Sequence, residues 1–251
     1  MEVLNRTLTN KTTQMVADIL GTLTVKVYFR DIKEINRESY GSTDCSTASQ
    51  GFYTVYLKTT QTPIEFETTL LHELRHVWQI ENDYPWVGNK TASSAFDANR
   101  DFLMSIGAQL QSAVLDLDVI EYLEQHGYSS AIFSAFTPAE NLSGIFQKVT
   151  SESIQDPWNL ATAVLSLYIA YARADDSCKP LVLNSAATCP RVIAECLLLN
   201  ERISLRLCND PLYCAHTMCW IIDHYSLWKT YFVSFRGKRI RTHAEFEQYF
   251  N

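Results

Sequence analysis

The chain has 251 residues, and 21 basic against 28 acidic side chains leave it with a formal charge of -7, which argues against a domain that works by gripping phosphate backbones. At 47% hydrophobic and 20% charged, with 8 Gly and 7 Pro, the composition excludes the disordered and collagen-like classes and predicts a chain that buries a core.

The amino terminus, MEVLNRTLTNKTTQ, lacks the basic start, apolar stretch and small-residue cleavage site of an export signal, so the expectation is a cytoplasmic protein. An amphipathic stretch from Thr12 to Leu20 predicts a first helix ending near Gly21, and TVKVYF (24–29) alternates like a strand. A polar connection rich in turn formers, 40–50, leads to a second strand, GFYTVYLK (51–58). That strand is either an edge on which an extended substrate can pair or an interior strand. Thr62-Pro63-Ile64-Glu65 is the best-marked helix start in the chain, with a Thr N-cap, Pro at the first position and Glu closing a capping box. The helix should run from Pro63 to about Ile80 with Phe66, Leu70, Leu74 and Val77 as its apolar stripe. A second capping box at Ser94-Ala95-Phe96-Asp97 opens helical sequence that runs, with a break near Gly107, to Gly127. The polar patch 136–144 is the expected joint between a domain at 1–135 and a helical region at 136–251. Residues after about Glu152 look almost wholly helical. The most apolar run, Leu160 to Ala172, is too short to span a bilayer, so no membrane segment is expected.

Seven cysteines are an odd number, which excludes a complete disulfide framework within one copy, and six of them fall in the last third of the chain. The spacing of Cys208, Cys214, His216 and Cys219 matches no zinc pattern, and thiols in apolar helices are expected as core residues. The one basic cluster, 235–243 with Lys229 nearby, is expected to be a solvated face, and no nucleic-acid partner is expected.

The residues with the clearest chemistry are His72-Glu73-Leu74-Arg75-His76, an HExxH motif inside the capped helix. Residues four apart share a helix face, so both imidazoles can bind one Zn2+, with Glu73 at the metal's open position as general base and acid. Arg75 is expected to face solvent or pair with an acid. A catalytic zinc usually takes three protein ligands. Asp97, 21 residues beyond His76, is the expected third, and Asp101, one turn on, is placed to support a ligand. Asp101, Asp116, Asp118 and Glu121 are the alternative ligands. His126, Tyr128, His216 and His224 are the candidates for an oxyanion donor.

The order of helix, two strands, HExxH helix and acidic helix resembles the gluzincin metallopeptidases, most closely the ImmA/IrrE-type peptidase domain. Asp97-Ala98-Asn99-Arg100-Asp101-Phe102 stands where that family has a segment like EANRFA, and it also resembles the thermolysin-type ExxxD pattern. The resemblance covers about residues 12 to 110. It implies a mostly helical α+β fold, with a small sheet packed on the HExxH helix and a ligand-bearing second helix, a minimal zincin-like domain followed by a helical C-terminal region. It also implies a zinc-dependent peptidase acting on a protein substrate such as a specific regulator. The rival readings are a scaffold that keeps the metal but has lost turnover, and a zinc hydrolase or toxin acting on another substrate.

Overall fold

The computed structural model describes residues 1–35, 39–44, 50–90, 100–129, 146, 149–150, 152–174, 176–203 and 208–250. The protein is α+β and 60% helical, with eight α-helices and small sheets among those residues. The chain forms two compact units, Met1–Asp83 with Val119–Ile132, and Tyr84–Asp118 with Phe133–Asn251. The capping box at 94–97 and the joint at 136–144 lie outside the described residues.

The first unit opens with a short hairpin, β1 (Glu2–Val3) and β2 (Arg6–Thr7), turned by Leu4 and Asn5 at φ 50 and 62, both left-handed as a two-residue hairpin loop requires. Helix α1 (Asn10–Thr22) is capped by the Thr9 hydroxyl, which accepts from the Thr12 N–H, and it buries Thr12, Met15, Val16 and Ile19 at helical spacing. Strands β3 (Lys26–Asp31), β4 (Gly41–Asp44) and β5 (Phe52–Leu57) form a sheet of order β3-β5-β4, with β3 parallel and β4 antiparallel to β5. The strand expected at 51–58 is thus central, and the edges are β3 and β4, the latter in a stretch whose composition predicts only turns. Gly-Ser-Thr-Asp carries no alternating apolar pattern, and it is a strand because β5 supplies its ladder partners from Thr54 to Leu57.

Helix α2 (Pro63–Glu81) starts as its sequence dictates: the Thr62 hydroxyl accepts from the Glu65 N–H, and the Glu65 carboxylate accepts from the Thr62 N–H. Hydrogen bonds from the Thr62 hydroxyl and backbone hold the Glu65 carboxyl below its ordinary range. Phe66, Leu70, Leu74 and Val77 are all fully buried, and α2 packs against α1, β4 and β5.

In the second unit, β6 (Trp86–Asn89) pairs with β7 (Tyr231–Phe235), and β7 with β8 (Lys238–Ile240), all antiparallel. Strands β7 and β8 depart from the almost wholly helical expectation after about Glu152. The central strand of the sheet, YFVSF, is an apolar run that on periodicity alone cannot be told from core packing. Arg236 and Gly237 turn the β7–β8 hairpin at φ 46 and 72, and Arg236, Lys238, Arg239 and Arg241 are exposed. Helix α3 (Arg100–Gln125) runs unbroken through Gly107. A Cβ there would stand 3.3 Å from Cε1 of Tyr231, whose hydroxyl donates to the Leu103 carbonyl at 2.6 Å, so the glycine lets strand and helix approach. The last residues of α3, from Val119, belong to the first unit. By length and composition α3 is apolar enough to cross a membrane, yet 67% of its most apolar window is buried inside the protein.

The remaining helices are α4 (Pro157–Arg173), α5 (Lys179–Ser185), α6 (Pro190–Arg202), α7 (Pro211–His224) and α8 (His243–Phe250). Helix α4 packs against α5 and α6, and α7 against α8 and β7. Cys189, Cys196, Cys208, Cys214 and Cys219 are buried free thiols. Burial pushes Cys196 and Cys219 up to about 12, which keeps them protonated hydrophobes.

A polar network in the first unit centres on Glu67, only 4% exposed. Its carboxylate accepts from the Thr9 N–H at 2.6 Å, the Thr9 hydroxyl at 2.9 Å and the Thr12 hydroxyl, while Thr12 Oγ1 lies 2.6 Å from the Tyr128 hydroxyl. Replacing Glu67 by Ala strands these donors, so the expected loss is about 2–3 kcal/mol, read as a lower urea midpoint with faster amide exchange across α1.

Candidate metal centre

Helix α2 carries six buried polar residues, Glu67, Thr68, Thr69, His72, Glu73 and Gln79. Two of them belong to the HExxH motif. His72 and His76 stand one turn apart, and their Nε2 atoms face each other at 3.0 Å with the rings 84° to one another. Two nitrogens bound to one tetrahedral ion at about 2.0–2.1 Å lie about 3.3 Å apart, so the pair is already close to ligand spacing. The second nitrogen of His76, Nδ1, is 2.9 Å from Oε1 of Gln79. Since an amide oxygen only accepts, Nδ1 carries the proton there and the Nε2 lone pair is directed at the site.

A further candidate donor is Asp116. His72, His76 and Asp116 offer ligand atoms that all lie within 4.8 Å of one another, and among the described residues they are the one convergent group of three or more His, Cys, Asp or Glu side chains. His72 and Asp116 are buried and His76 half-buried. Asp116 lies on α3 among Ala113, Val114, Leu115 and Leu117, all buried. Its Oδ2 accepts a close ion pair from the Arg173 guanidinium at the end of α4. Two imidazoles and a carboxylate form a donor set that suits zinc and other first-row divalent ions.

Glu73 is 8% exposed. The Thr43 hydroxyl of β4 donates to Oε2 of Glu73 at 2.7 Å and lies 3.1 Å from the Glu73 carbonyl. The β4 backbone passes directly over this carboxylate: a Cβ on Gly41 would stand 2.7 Å from both Glu73 Oε1 and Thr69 Cγ2, so a side chain there would displace one of them. Arg75 does not simply face solvent. It is half-buried, with its guanidinium 3.6 Å over the Trp78 ring and 4.6 Å from the Tyr122 ring centre, a stacked cation that ties α2 to the end of α3.

The motif residues thus come together as their spacing predicts. Asp97 lies outside the described residues. Asp101 is exposed in the first turn of α3, 15 residues before Asp116, which at 1.5 Å per residue separates them by about 22 Å along one helix. The four oxyanion candidates are engaged in contacts of their own. His126 Nδ1 meets the Tyr122 carbonyl at 2.7 Å, Tyr128 joins the Glu67 network, His216 packs on His243 and Phe246, and His224 Nε2 meets Glu195 at 2.7 Å. Cys214 Sγ lies 3.3 Å from the Cys208 carbonyl, and its hydrogen bonding with Cys208, then burial, hold its thiol protonated.

No protein-family model, curated protein or solved structure matches this chain.

The Gln79 contact yields a direct expectation. Gln79→Leu removes the acceptor that fixes the His76 ring, and metal affinity should fall about 10- to 100-fold, measured by competition with a chromophoric chelator.

Proposed function

We propose that this chain is a zinc-dependent metallopeptidase of gluzincin type, resembling ImmA/IrrE peptidases, that hydrolyses a peptide bond in a protein substrate. His72, His76 and Asp116 hold the metal, and Glu73 is the general base and acid. The observation that carries this reading is the facing pair of imidazole nitrogens at 3.0 Å beside a buried carboxylate, on the helix that also presents Glu73. Two imidazole lone pairs repel at this distance unless a proton or a cation lies between them. A bound divalent ion supplies Lewis acidity, polarising a carbonyl and acidifying water.

The rest falls to the chain's own side chains. Glu73, oriented by Thr43, takes a proton from water and returns it to the departing amine nitrogen. Among the described residues β4 pairs on one side, with β5. Its other edge is where an extended peptide would add as a strand, the role that the sequence suggested for 51–58. In this reading the first unit and α3 form the minimal zincin-like domain, and Asp101 takes no part in the site. By the same resemblance the substrate is a single regulatory protein, recognised by the helices beyond residue 152.

Metal analysis by mass spectrometry tests the ligand set. About one zinc per chain is expected in the wild type and in Asp97→Ala, with loss in His76→Ala and Asp116→Ala. Loss in Asp97→Ala with retention in Asp116→Ala would return the third ligand to Asp97. A wild type that takes up no metal even when zinc is offered would defeat the proposal. Glu73→Gln separates a peptidase from a metal-binding scaffold: it should keep zinc while lowering turnover by about 10²- to 10⁴-fold. The readout is the set of new protein N-termini in cells making the wild type but absent with the Gln variant.

A further inference from the structure

We infer that Arg173 is the positioning residue of this centre, holding the Asp116 carboxylate in the orientation in which it meets the ion; the inference rests on the metal reading above. Asp116 sits among buried apolar residues of α3, its side chain 4% exposed, where a carboxylate is held only by a partner that balances its charge. Arg173 provides that partner from the last turn of α4, a helix end whose carbonyl dipoles favour a cation. The guanidinium is itself only 16% exposed, and α4 buries Leu160, Ala161, Ala163, Val164, Leu165, Leu167 and Tyr168 along its length. The cation is therefore presented by a packed helix and does not belong to a mobile surface chain.

The ion pair is compatible with ligation. A carboxylate has two oxygens, each with two lone pairs, so one that accepts from a guanidinium at Oδ2 keeps capacity for a metal. The arrangement repeats on a second ligand, since His76 is gripped by Gln79 through Nδ1 while Nε2 turns to the site. Ligands in metal sites are oriented in this way by outer partners. Asp is also the shorter of the two acidic side chains, with fewer torsions to search, so a single planar donor suffices to fix it.

The test uses the full chain and measures Co2+ and Zn2+ affinity by chelator competition in the wild type, Arg173→Met, Arg173→Lys, Asp116→Ala and the Met/Ala double variant. Arg173→Met should weaken binding about 10- to 100-fold and change the visible Co2+ spectrum as Asp116 is lost from the coordination sphere. Arg173→Lys, which keeps the charge without the planar fork, should recover part of the affinity. On the residual affinity that the two histidines give Asp116→Ala, the Met substitution should have no further effect. Unchanged or tighter binding in Arg173→Met overturns the inference, as does an equal loss with and without Asp116. If Arg173→Met does not fold, the Lys variant decides by whether its loss vanishes in the Asp116→Ala background. Failure of the metal reading looks different, because the wild type itself then binds neither ion.

Discussion

The first unit is organised by a helix that must bury polar side chains. Along α2, Glu67, Thr68, Thr69, His72, Glu73 and Gln79 are removed from solvent together with Phe66, Leu70, Leu74 and Val77. A buried hydroxyl, amide or carboxylate without a partner costs about 1–3 kcal/mol or more, so each of these groups dictates what packs beside it. Thr68 turns back to the Ile64 carbonyl, Thr69 accepts from Gln61, and Glu67 takes the capping residues of α1. Glu73 takes Thr43, and Gln79 takes Nδ1 of His76, whose Nε2 faces that of His72. The placement of α1 and β4 follows from these demands as much as from apolar contact.

The same constraint explains why so modest a strand as β4 matters. Its four residues bury little, yet Gly41 and Thr43 stand against one carboxylate. Glycine admits the backbone to within contact of Glu73 and Thr69, and the next inward residue supplies the hydroxyl that orients Glu73. Strands of this kind are held by their ladder to β5 and by what they touch, and any intrinsic preference of their residues is secondary.

This difference separates what was legible in the sequence from what was not. The cap, extent and buried stripe of α2 were readable, because Thr62, Pro63, Glu65 and the 3.6-residue period act locally. The convergence of His72 and His76 was readable for the same reason, being a property of one helix turn. Asp116 was not, standing 40 residues beyond His76 and meeting the histidines only through tertiary structure, so that it appeared as one alternative among four. A signal was nevertheless present: Asp116 and Asp118 interrupt the apolar run AVLDLDVI, and carboxylates are almost never fully buried without a partner. Arg173 gave no comparable sign, since a basic residue ending a helix is ordinary. The sheet of β6, β7 and β8 was missed because β6 is four residues long and its partner strand β7 begins 142 residues after it ends (231 − 89).

The two buried carboxylates near the histidines are distinguished by what donates to them. Asp116 is met by a guanidinium, which brings a full positive charge and a planar, directional grip. Glu73 is met by the Thr43 hydroxyl, which fixes orientation through that bond without contributing a charge. In the proposed function, Asp116 as a ligand would have to stay in place through every step, whereas Glu73 as the group that moves protons would have to be placed without being neutralised by its holder. One sequence supplies both kinds of donor from separate elements, an arginine at the end of a packed helix and a threonine on an edge strand. For the function proposed above, the division of labour between Asp116 and Glu73 would be set by their neighbours, since the two side chains carry the same functional group.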